Sequence, residues 1–369
     1  MTHRVLLMAR ELDTGGSERQ LTEIALGLDR SRFEPYVGVF RPDGLRGEQL
    51  RAAGVPVIHF PVYSFRSAGA LAGAWKLARF IRSRGIDVVH AFDAPLAVFA
   101  TPVTRYLTRA AMLTSQRGHR DLTPEYRKLL RWTDRRVNGM VVNCEYLKRH
   151  LIEDEGVRES LVHVCPNGID LQTFHPGPAV RPDNIPPGAF VIGVVTVLRP
   201  EKDLATLIEA FASVRDSRTE IKLVIVGSGP ELERLQQFAR KAGVAEDCIW
   251  QPATANVAEW YRSVDACVLP SRSEAFPNSI MEAMACGCAV VASNAGGIPE
   301  LVEDGVTGLL FEAGSPAALA AALRRVIADC QLRQALARAG EKLVRENLSR
   351  RAAAERMGEI YTSIIERKR

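Results

Sequence analysis

The chain has 369 residues, of which 47% are hydrophobic and 25% are charged, and it carries a formal net charge of +5. This composition excludes a disordered or low-complexity chain, and no apolar run reaches the roughly eighteen residues that a membrane-spanning helix needs. Because one α/β core rarely exceeds roughly 250–300 residues, the length predicts two domains. The first residues lack the apolar stretch of a secretory signal, so we expect a cytoplasmic protein.

Short apolar runs alternate with longer amphipathic stretches in the first half of the chain. The predicted strands there are Val5–Ala9, Tyr36–Phe40, Val88–His90 and Gly139–Asn143. The predicted helices are Ser17–Leu28, Gly69–Arg84 and Glu125–Thr133. This alternation predicts an α/β domain whose parallel sheet is covered by helices on both faces.

The second half repeats the pattern and predicts a second α/β domain. Its predicted strands are Phe190–Val197, Lys222–Gly227, Ala266–Leu269 and Ala289–Ala292. Its predicted helices are Asp203–Val214, Pro230–Ala242, Asn278–Ala285 and Ser315–Val326, followed by a last helix near Ser349–Arg367. Residues 175–188 hold five prolines and two glycines, which oppose both helix and strand. The predicted domains are 1–175, a linker at 176–188, and 189–348, with a helix at 349–369 that is a candidate to cross back to the first domain.

Seven cysteines are scattered through the chain without a C-x-x-C pair. An odd number in this arrangement predicts reduced, buried thiols rather than a disulfide framework, and it supplies no ligand set for zinc. The cysteines are Cys144, Cys165, Cys248, Cys267, Cys286, Cys288 and Cys330.

Positive charge is concentrated in residues 101–150, which hold eleven basic and four acidic side chains. The centre of this excess is the group Arg127, Lys128, Arg131, Arg135 and Arg136. One interpretation is a solvated helix face, and the other is a surface for anionic membrane lipid or for a phosphate-bearing acceptor. Nucleic acid is not expected as a partner, because few aromatic residues are interleaved with the basic ones.

Two glycine-rich turns follow predicted strands. Gly15 and Gly16 open a helix in which we expect Ser17 and Gln20 to form a capping box. Free N–H groups at such a helix start favour a diphosphate, although a plain glycine turn explains the pattern equally well. The G-S-G sequence that begins at Gly227 lacks the third glycine of a dinucleotide fingerprint, so NAD binding is not predicted.

Two cations follow the first predicted strand of the second domain. Arg199 offers a planar fork and Lys202 a mobile point charge, and both suit phosphates. A pair of surface cations is the plainer interpretation. Because cations do not stabilise a helix N-terminus, their position there favours a functional role.

Two glutamates stand eight residues apart in the second domain. Glu274 lies in a loop after a predicted strand, and Glu282 lies in what we expect to be the first turn of a helix. We expect Asn278 or Ser279 to cap that helix and Gly287 to end it. A carboxylate accepts hydrogen bonds from vicinal hydroxyls, so Glu274 suits a sugar and Glu282 a ribose. Charge complementarity with the helix start is the alternative for Glu282, but it does not explain Glu274.

In their order along the chain, these motifs resemble glycosyltransferase family four, a group of retaining enzymes with the GT-B fold. The elements that carry the resemblance are Asn167-Gly168-Ile-Asp170, the Lys202 turn, the Glu274–Glu282 element and Gly296-Gly297-Ile-Pro-Glu300. The resemblance implies an α/β fold of two Rossmann-like domains whose parallel sheets face across a central cleft. It also implies that the C-terminal domain holds most of the donor nucleotide.

The resemblance implies a role for individual residues. Glu274 would contact the donor sugar, Glu282 the ribose and Lys202 the diphosphate, with Gly16 closing over the diphosphate. The catalytic candidates are Glu274, Lys202 and Arg199. The donor-binding candidates are Gly15, Gly16, Asn167, Gly227, Gln251, Pro252, Phe276, Asn278, Ser279 and Glu282, with the segment from Trp250 to Pro252 meeting the base. Retention of the anomeric configuration, with no cofactor and no metal, is also implied.

The sequence departs from the family pattern at two places. The arginine that usually precedes the lysine turn is missing from residues 196–198, and Arg199 is the candidate replacement. Where the family often carries a histidine in a T-x-H pattern, this chain has Gln116. The acceptor-side residue is therefore Gln116, Arg117 or His119.

The implied activity is transfer from a nucleotide sugar, with a UDP-sugar favoured and GDP-mannose as the competitor. The acceptor would be a hydroxyl of a glycan or of a lipid-linked molecule in cell-surface polysaccharide or glycolipid synthesis, with peripheral contact to the inner face of the plasma membrane. Two alternatives stay open. A sugar-nucleotide epimerase of the same fold would turn over donor without acceptor, and a catalytically silent partner in a polysaccharide assembly complex would bind donor without turnover.

Overall fold

The structure is a computed structural model that describes residues 2–13, 15–62, 65, 68–118, 123–178, 181, 185–215 and 220–368. The chain forms two compact units. The first unit is Met1–Gly168 together with Arg350–Arg369, and the second unit is Ile169–Ser349. The last helix of the chain therefore belongs to the first unit, and the residues directly after Gly168 belong to the second.

A seven-stranded parallel sheet forms the centre of the first unit. Its strands are β1 (His3–Ala9), β2 (Phe33–Val39), β3 (Val57–His59), β4 (Val88–Ala91), β5 (Ala111–Gln116), β6 (Gly139–Val142) and β7 (Val162–Val164). The order across the sheet is β3-β2-β1-β4-β5-β6-β7, so the direction of winding reverses between β1 and β4. Ligands of open parallel sheets bind at such a reversal, outside the carboxyl ends of the strands.

Helices cover both faces of the first sheet. They are α1 (Gly16–Gly27), α2 (Leu45–Ala52), α3 (Ala68–Arg84), α4 (Ala94–Leu107), α5 (Pro124–Asp134), α6 (Glu145–Glu153) and, from the end of the chain, α13 (Arg350–Lys368). Buried side chains of α1, α2 and α13 form one hydrophobic core with the strands. The helices α3, α4 and α5 pack side by side, and right-handed crossovers place them on the opposite face.

The second unit repeats this plan with a six-stranded parallel sheet. Its strands are β8 (Phe190–Val195), β9 (Ile221–Val226), β10 (Cys248–Gln251), β11 (Ala266–Leu269), β12 (Ala289–Ser293) and β13 (Leu309–Phe311). Its helices are α7 (Leu204–Val214), α8 (Leu232–Lys241), α9 (Val257–Ser263), α10 (Asn278–Ala285), α11 (Pro316–Ala328) and α12 (Cys330–Asn347). The strand order is β10-β9-β8-β11-β12-β13, with the reversal between β8 and β11. The predicted α/β class with two Rossmann-like parallel sheets is confirmed.

The start of α1 differs from the sequence prediction. The helix follows Gly15 and no side chain caps it, so the predicted capping box of Ser17 and Gln20 is wrong. The buried amide of Gln20 instead donates to the carbonyl oxygen of Gly168 and accepts from its N–H, both at 2.9 Å. The Gln20 side chain, which the local sequence pattern places in a helix cap, is therefore hydrogen-bonded to Gly168, a residue far away in the sequence.

None of the helices within the described ranges combines the length and the apolar character needed to cross a membrane.

Candidate functional site

An ion pair between Lys202 and Glu274 lies at the carboxyl edge of the second sheet, where β8 and β11 end. Lys202 closes a short 3-10 helix after β8, preceded by the exposed Arg199, and Glu274 lies in the loop between β11 and α10. The Lys202 Nζ donates to Glu274 Oε1, and the Ser271 hydroxyl donates to the same oxygen at 2.9 Å. The Lys202 and Glu274 side chains are 20% and 14% exposed. Two predicted catalytic residues therefore meet at the reversal of strand order.

The turn of Gly296 and Gly297 after β12 fixes the backbone of Glu274. The Gly297 N–H donates to the Glu274 carbonyl oxygen at 2.9 Å. Gly296 has a φ of +58°, and a Cβ on it would lie 2.0 Å from that same oxygen. Because a residue with a side chain cannot approach so closely, this glycine is required if Glu274 is to keep its position.

The turn at Gly227 after β9 holds the loop that leads to Lys202. Gly227 has a φ of +150°, and a Cβ on it would lie 1.8 Å from the carbonyl oxygen of Thr196. The Leu198 N–H donates to the carbonyl oxygen of Ser228 at 3.0 Å. The glycine that resembled part of a nucleotide fingerprint thus has a packing role, and its predicted contact with the donor stays a prediction.

Asp203 and Arg272 tie together the two loops of the ion pair, and the sequence analysis assigned neither a role. The Arg272 Nε donates to Asp203 Oδ2 at 2.9 Å, and the Arg272 N–H donates to the carbonyl oxygen of Glu201 at 2.9 Å. Among the described residues, Asp203 is the one non-glycine with a left-handed backbone, with φ at 49°. Such strain is frequent at functional sites. A sequence signal existed, because both residues stand within the motifs that contain Lys202 and Glu274.

The helix α10 begins beside the ion pair. Pro277 precedes it, Asn278 is its first residue, and no side chain caps it. The predicted cap by Asn278 or Ser279 is therefore wrong, because both residues are already helical. The partial positive charge of a helix N-terminus favours an anion at this place. The helix ends as predicted, with Gly287 in the left-handed conformation that terminates helices.

Glu282 is buried in the second turn of α10, not in the first turn that the sequence predicts. Burial is the largest cause that raises the pKa of the Cys286 thiol to about 12, and the nearby charge of Glu282 also raises it. Phe276 is also buried. Gln251 ends β10 at the same edge of the sheet, followed by the exposed Pro252. Contacts between these residues and a donor stay predictions.

A carboxylate of the chain itself occupies the start of α1 in the first unit. Glu18 lies in the first helical turn, and a Cβ on Gly15 would lie 2.1 Å from Glu18 Oε2. Burial is the main cause that raises the pKa of Glu18. An anion at Gly15 and Gly16 would meet this carboxylate. The predicted diphosphate contact of the two glycines therefore requires Glu18 to move or to become protonated.

The predicted acceptor-side residues follow β5. Gln116 is its buried last residue, and the Gln116 Nε2 donates to the carbonyl oxygen of Gly118 at 3.1 Å. The Arg117 Nη1 donates to Asn167 Oδ1 at 2.5 Å, which brings two predicted site residues together within the first unit. His119 lies outside the described residues. The structure leaves the choice among the three as a prediction.

The guanidinium of Arg117 joins a buried polar network. It lies over the ring of Phe92, 5.2 Å from the centroid, and burial lowers its pKa to about 10. Burial, with a smaller contribution from Arg117, holds the pKa of His90 well below 6.5. The His90 ring nitrogens lie 2.8 Å from the Tyr361 hydroxyl and 2.8 Å from the Ser115 hydroxyl. The network therefore links β4, β5 and α13.

The cysteines follow the prediction with one exception. All seven are free thiols, six of them are buried, and Cys330 is exposed. The prediction of burial is wrong for Cys330, because it begins α12 at the surface.

Two family models match most of the chain. The model described as "Glycosyl transferases group 1" matches residues 179–343. The model described as "Glycosyltransferase Family 4" matches residues 14–173. The first of these segments lies within the second unit, and the other covers most of the first unit and ends five residues into the second.

Individual relatives agree with these matches. The D-inositol 3-phosphate glycosyltransferase of Segniliparus rotundus is 33% identical over 54% of this chain and 47% of its own length. The chain spans about half the length of this and similar curated relatives. The GDP-mannose-dependent alpha-(1-6)-phosphatidylinositol monomannoside mannosyltransferase of Mycobacterium tuberculosis is 28% identical over 92% of this chain and 93% of its own.

A solved structure agrees over nearly the full length. Anabaena HepE in complex with UDP and glucose is 25% identical, with a TM-score of 0.82 over 98% of this chain and 100% of that one. The two family models, the paired parallel sheets and the full-length likeness to HepE all point to one group. The chain belongs to glycosyltransferase family four, the group 1 glycosyltransferases.

Proposed function

We propose that the protein is a retaining glycosyltransferase that moves a sugar from a nucleoside-diphosphate sugar to a hydroxyl of a glycan or lipid-linked acceptor. The observation that carries the proposal is the Lys202–Glu274 ion pair at the end of β8 and β11, beside the N-terminus of α10. A cation and a helix N-terminus suit a diphosphate, and a carboxylate suits sugar hydroxyls. Membership of the family supports this chemistry.

The proposed transfer takes place on one face of the sugar. The acceptor oxygen bonds to the anomeric carbon from the face that the nucleoside diphosphate leaves, the bond from carbon to phosphate oxygen breaks, and that oxygen accepts the hydroxyl proton. Lys202, Arg199 and the N–H groups of α10 would stabilise the charge that develops on the diphosphate. Glu274 would orient the sugar, exchanging part of its contact with Lys202 for contact with sugar hydroxyls.

For the donor we propose a UDP-sugar. Its support is the likeness to HepE, whose structure holds UDP and glucose. The mycobacterial relative is named for GDP-mannose, so GDP-mannose is the competitor that an experiment must include. The names of the two relatives specify inositol phosphate and a phosphatidylinositol. They support an acceptor that carries a phosphate group.

The second unit offers a matched control for the ion pair. Lys222 and Asp247 lie at the amino ends of β9 and β10, with nitrogen and oxygen 2.8 Å apart and side chains 14% and 18% exposed. Their burial is close to that of Lys202 and Glu274. Lys202→Met leaves the shielded carboxylate of Glu274 without this cation, whereas Asp247 keeps a second one in Lys222→Met, since the Arg215 Nε lies 3.2 Å from its Oδ2. Lys222→Met should therefore lose no more thermal stability than Lys202→Met.

The test is a thermal-shift screen of UDP-sugars and GDP-mannose. One donor should raise the melting temperature of the wild type and of Lys222→Met by mass action on the folded state, and Lys202→Met should lose that shift. Transfer to inositol phosphate or to a lipid-linked acceptor, with the anomeric configuration read by NMR, then tests the reaction. No shift with any nucleotide sugar, or a full shift in Lys202→Met, would overturn the proposed donor site. Donor binding without transfer or hydrolysis would favour a silent partner.

A further inference from the structure

The backbone of Asp203 places its carboxylate between two loops of the second unit. A residue that precedes a helix usually has an extended backbone and accepts an N–H of the first turn with its side chain. Asp203 precedes α7 with φ at 49°, and no side chain caps this helix. Its Oδ2 instead accepts from the Thr206 hydroxyl and from the Arg272 Nε, both at 2.9 Å. The carboxylate is therefore directed at a partner 69 positions away in the sequence.

Arg272 joins the two loops on both sides of Lys202. Its N–H donates to the carbonyl oxygen of Glu201 at 2.9 Å, and its Nε donates to Asp203. Lys202 stands between these two acceptors in the sequence, and Glu274 follows Arg272 by two residues. We call the two hydrogen bonds of Arg272 the loop clamp. The ion pair of Lys202 and Glu274 is thus a third contact between the same two loops.

The loop clamp is poorly explained as a source of folding stability. The Arg272 side chain is 63% exposed, whereas that of Asp203 is 8% exposed. An ion pair with so exposed a partner contributes little to the free energy of folding. Although aspartate tolerates the left-handed region better than most residues, this backbone still costs free energy. Such a combination beside a site favours a role in positioning.

A bound donor would weaken the contact that Lys202 and Glu274 make with each other. Under the proposed function, the Lys202 amine turns to the diphosphate and the Glu274 carboxylate to the sugar hydroxyls. The loop clamp uses neither group, so it can hold the two loops while both are engaged. We propose that Arg272 and Asp203 are positioning residues that fix Lys202 for the diphosphate of the donor. The inference rests on the proposed function and adds two residues that act through Lys202.

Hydrogen exchange without ligand tests whether the loop clamp, rather than the ion pair, holds the loops together. The Arg272 N–H is a member of the clamp, so its protection, measured by NMR, reports the contact directly. Asp203→Gly keeps the left-handed turn, which glycine adopts freely, but it removes the acceptor of the Arg272 Nε. Protection should then fall roughly 10-fold. Asp203→Asn retains an acceptor oxygen and should keep most of the protection, as should Lys202→Met. Equal losses in Lys202→Met and Asp203→Gly would overturn the proposal.

The affinities for UDP and for uridine separate the contribution of the diphosphate, because uridine lacks the phosphates that Lys202 would contact. GDP and guanosine form the parallel pair. Arg272→Gln and Asp203→Gly should each weaken diphosphate binding roughly 10-fold, a size common within one hydrogen-bonded network, and leave nucleoside binding unchanged. Since the clamp acts through Lys202, adding Arg272→Gln to Lys202→Met should weaken UDP binding by less than about twofold more.

Arg181→Gln is the matched control. The Arg181 Nη2 donates to Asp265 Oδ2 at 2.8 Å beside the amino end of β11, and the Val191 N–H donates to the same oxygen at 2.8 Å. This variant also removes an arginine from an aspartate of the second unit, but it should bind UDP as the wild type does. Wild-type UDP affinity in Arg272→Gln, or equal losses for UDP and uridine, would overturn the inference alone. Absence of wild-type binding to both diphosphates would overturn the proposed donor site as well.

Discussion

Replacing Gly296 by alanine tests whether the glycine turn positions Glu274. A Cβ at this position would lie 2.0 Å from the Glu274 carbonyl oxygen, whereas real Cβ atoms keep at least 3.0 Å from such a neighbour. The turn or the Glu274 loop must therefore shift by about 1 Å. Because a displacement of about 1 Å in a positioning group can cost roughly 100-fold in rate, we expect turnover of the donor to fall by about that factor.

Gly305→Ala is the matched control for this substitution. Gly305 has a φ of +75°, and a Cβ on it would meet no other atom within 4 Å. Both variants place alanine in the left-handed region, which costs roughly 1–2 kcal/mol, and only Gly296→Ala adds an overlap worth roughly 1–3 kcal/mol. Urea unfolding and donor turnover are measured on both. Wild-type turnover in Gly296→Ala, or equal losses of turnover in the two variants, would refute the reasoning.

Three further predictions concern the first unit and the thiols. Burial holds the pKa of His90 well below 6.5, so just below pH 6.5 the unfolded chain binds a proton that the folded chain does not. The free energy of unfolding should therefore fall on acidification by up to about 1.4 kcal/mol per pH unit. Urea unfolding measured at several pH values should show a weaker dependence of this free energy on pH in His90→Gln. Tyr361→Phe removes the hydroxyl 2.8 Å from the His90 ring and should cost about 1–3 kcal/mol by leaving a buried nitrogen unpaired, seen as faster hydrogen exchange in α13. A thiol reagent should modify Cys330 rapidly and the six buried cysteines slowly, because burial limits access to them and raises the thiol pKa of five, namely Cys165, Cys248, Cys267, Cys286 and Cys288. Fast labelling that persists in Cys330→Ser would contradict this.

The fold was predictable because its long elements repeat a simple pattern. Strands such as β1 and β11 are continuous apolar runs, and helices such as α7 show apolar periodicity, so tertiary packing and local preference agree. The sequence analysis missed the three-residue strands β3, β7 and β13, which have few residues to mark them, and it also missed β5, β10 and the helix α12. The helix α4 escaped because it contains Pro95 and Pro102, which argue against a helix, although Pro95 lies in the first turn where proline is tolerated.

The candidate site was predictable only in its residue types. The motifs around Lys202 and Glu274 indicated charged groups at strand ends, and the parallel topology brings those ends together. The hydrogen bond between the two side chains spans 72 positions of sequence, so no local pattern shows it. Both helix-cap predictions were wrong, because a local pattern shows neither a distant partner nor the exact first residue of a helix. Gln20 is hydrogen-bonded to the distant backbone of Gly168, and Asn278 already lies inside its helix.

The glycines of the second unit show how a structural requirement can resemble a ligand-binding motif. Gly227 and Gly296 each admit a carbonyl oxygen of a neighbouring loop where a Cβ would overlap it. The loops before Lys202 and around Glu274 are thereby held through backbone contacts, so that the charged ends need no rearrangement of the scaffold when a ligand arrives. Electrostatic catalysis depends on such prior organisation. We therefore expect a substitution at Gly296, which acts through the backbone of Glu274, to affect turnover as strongly as a substitution of a charged side chain in the site.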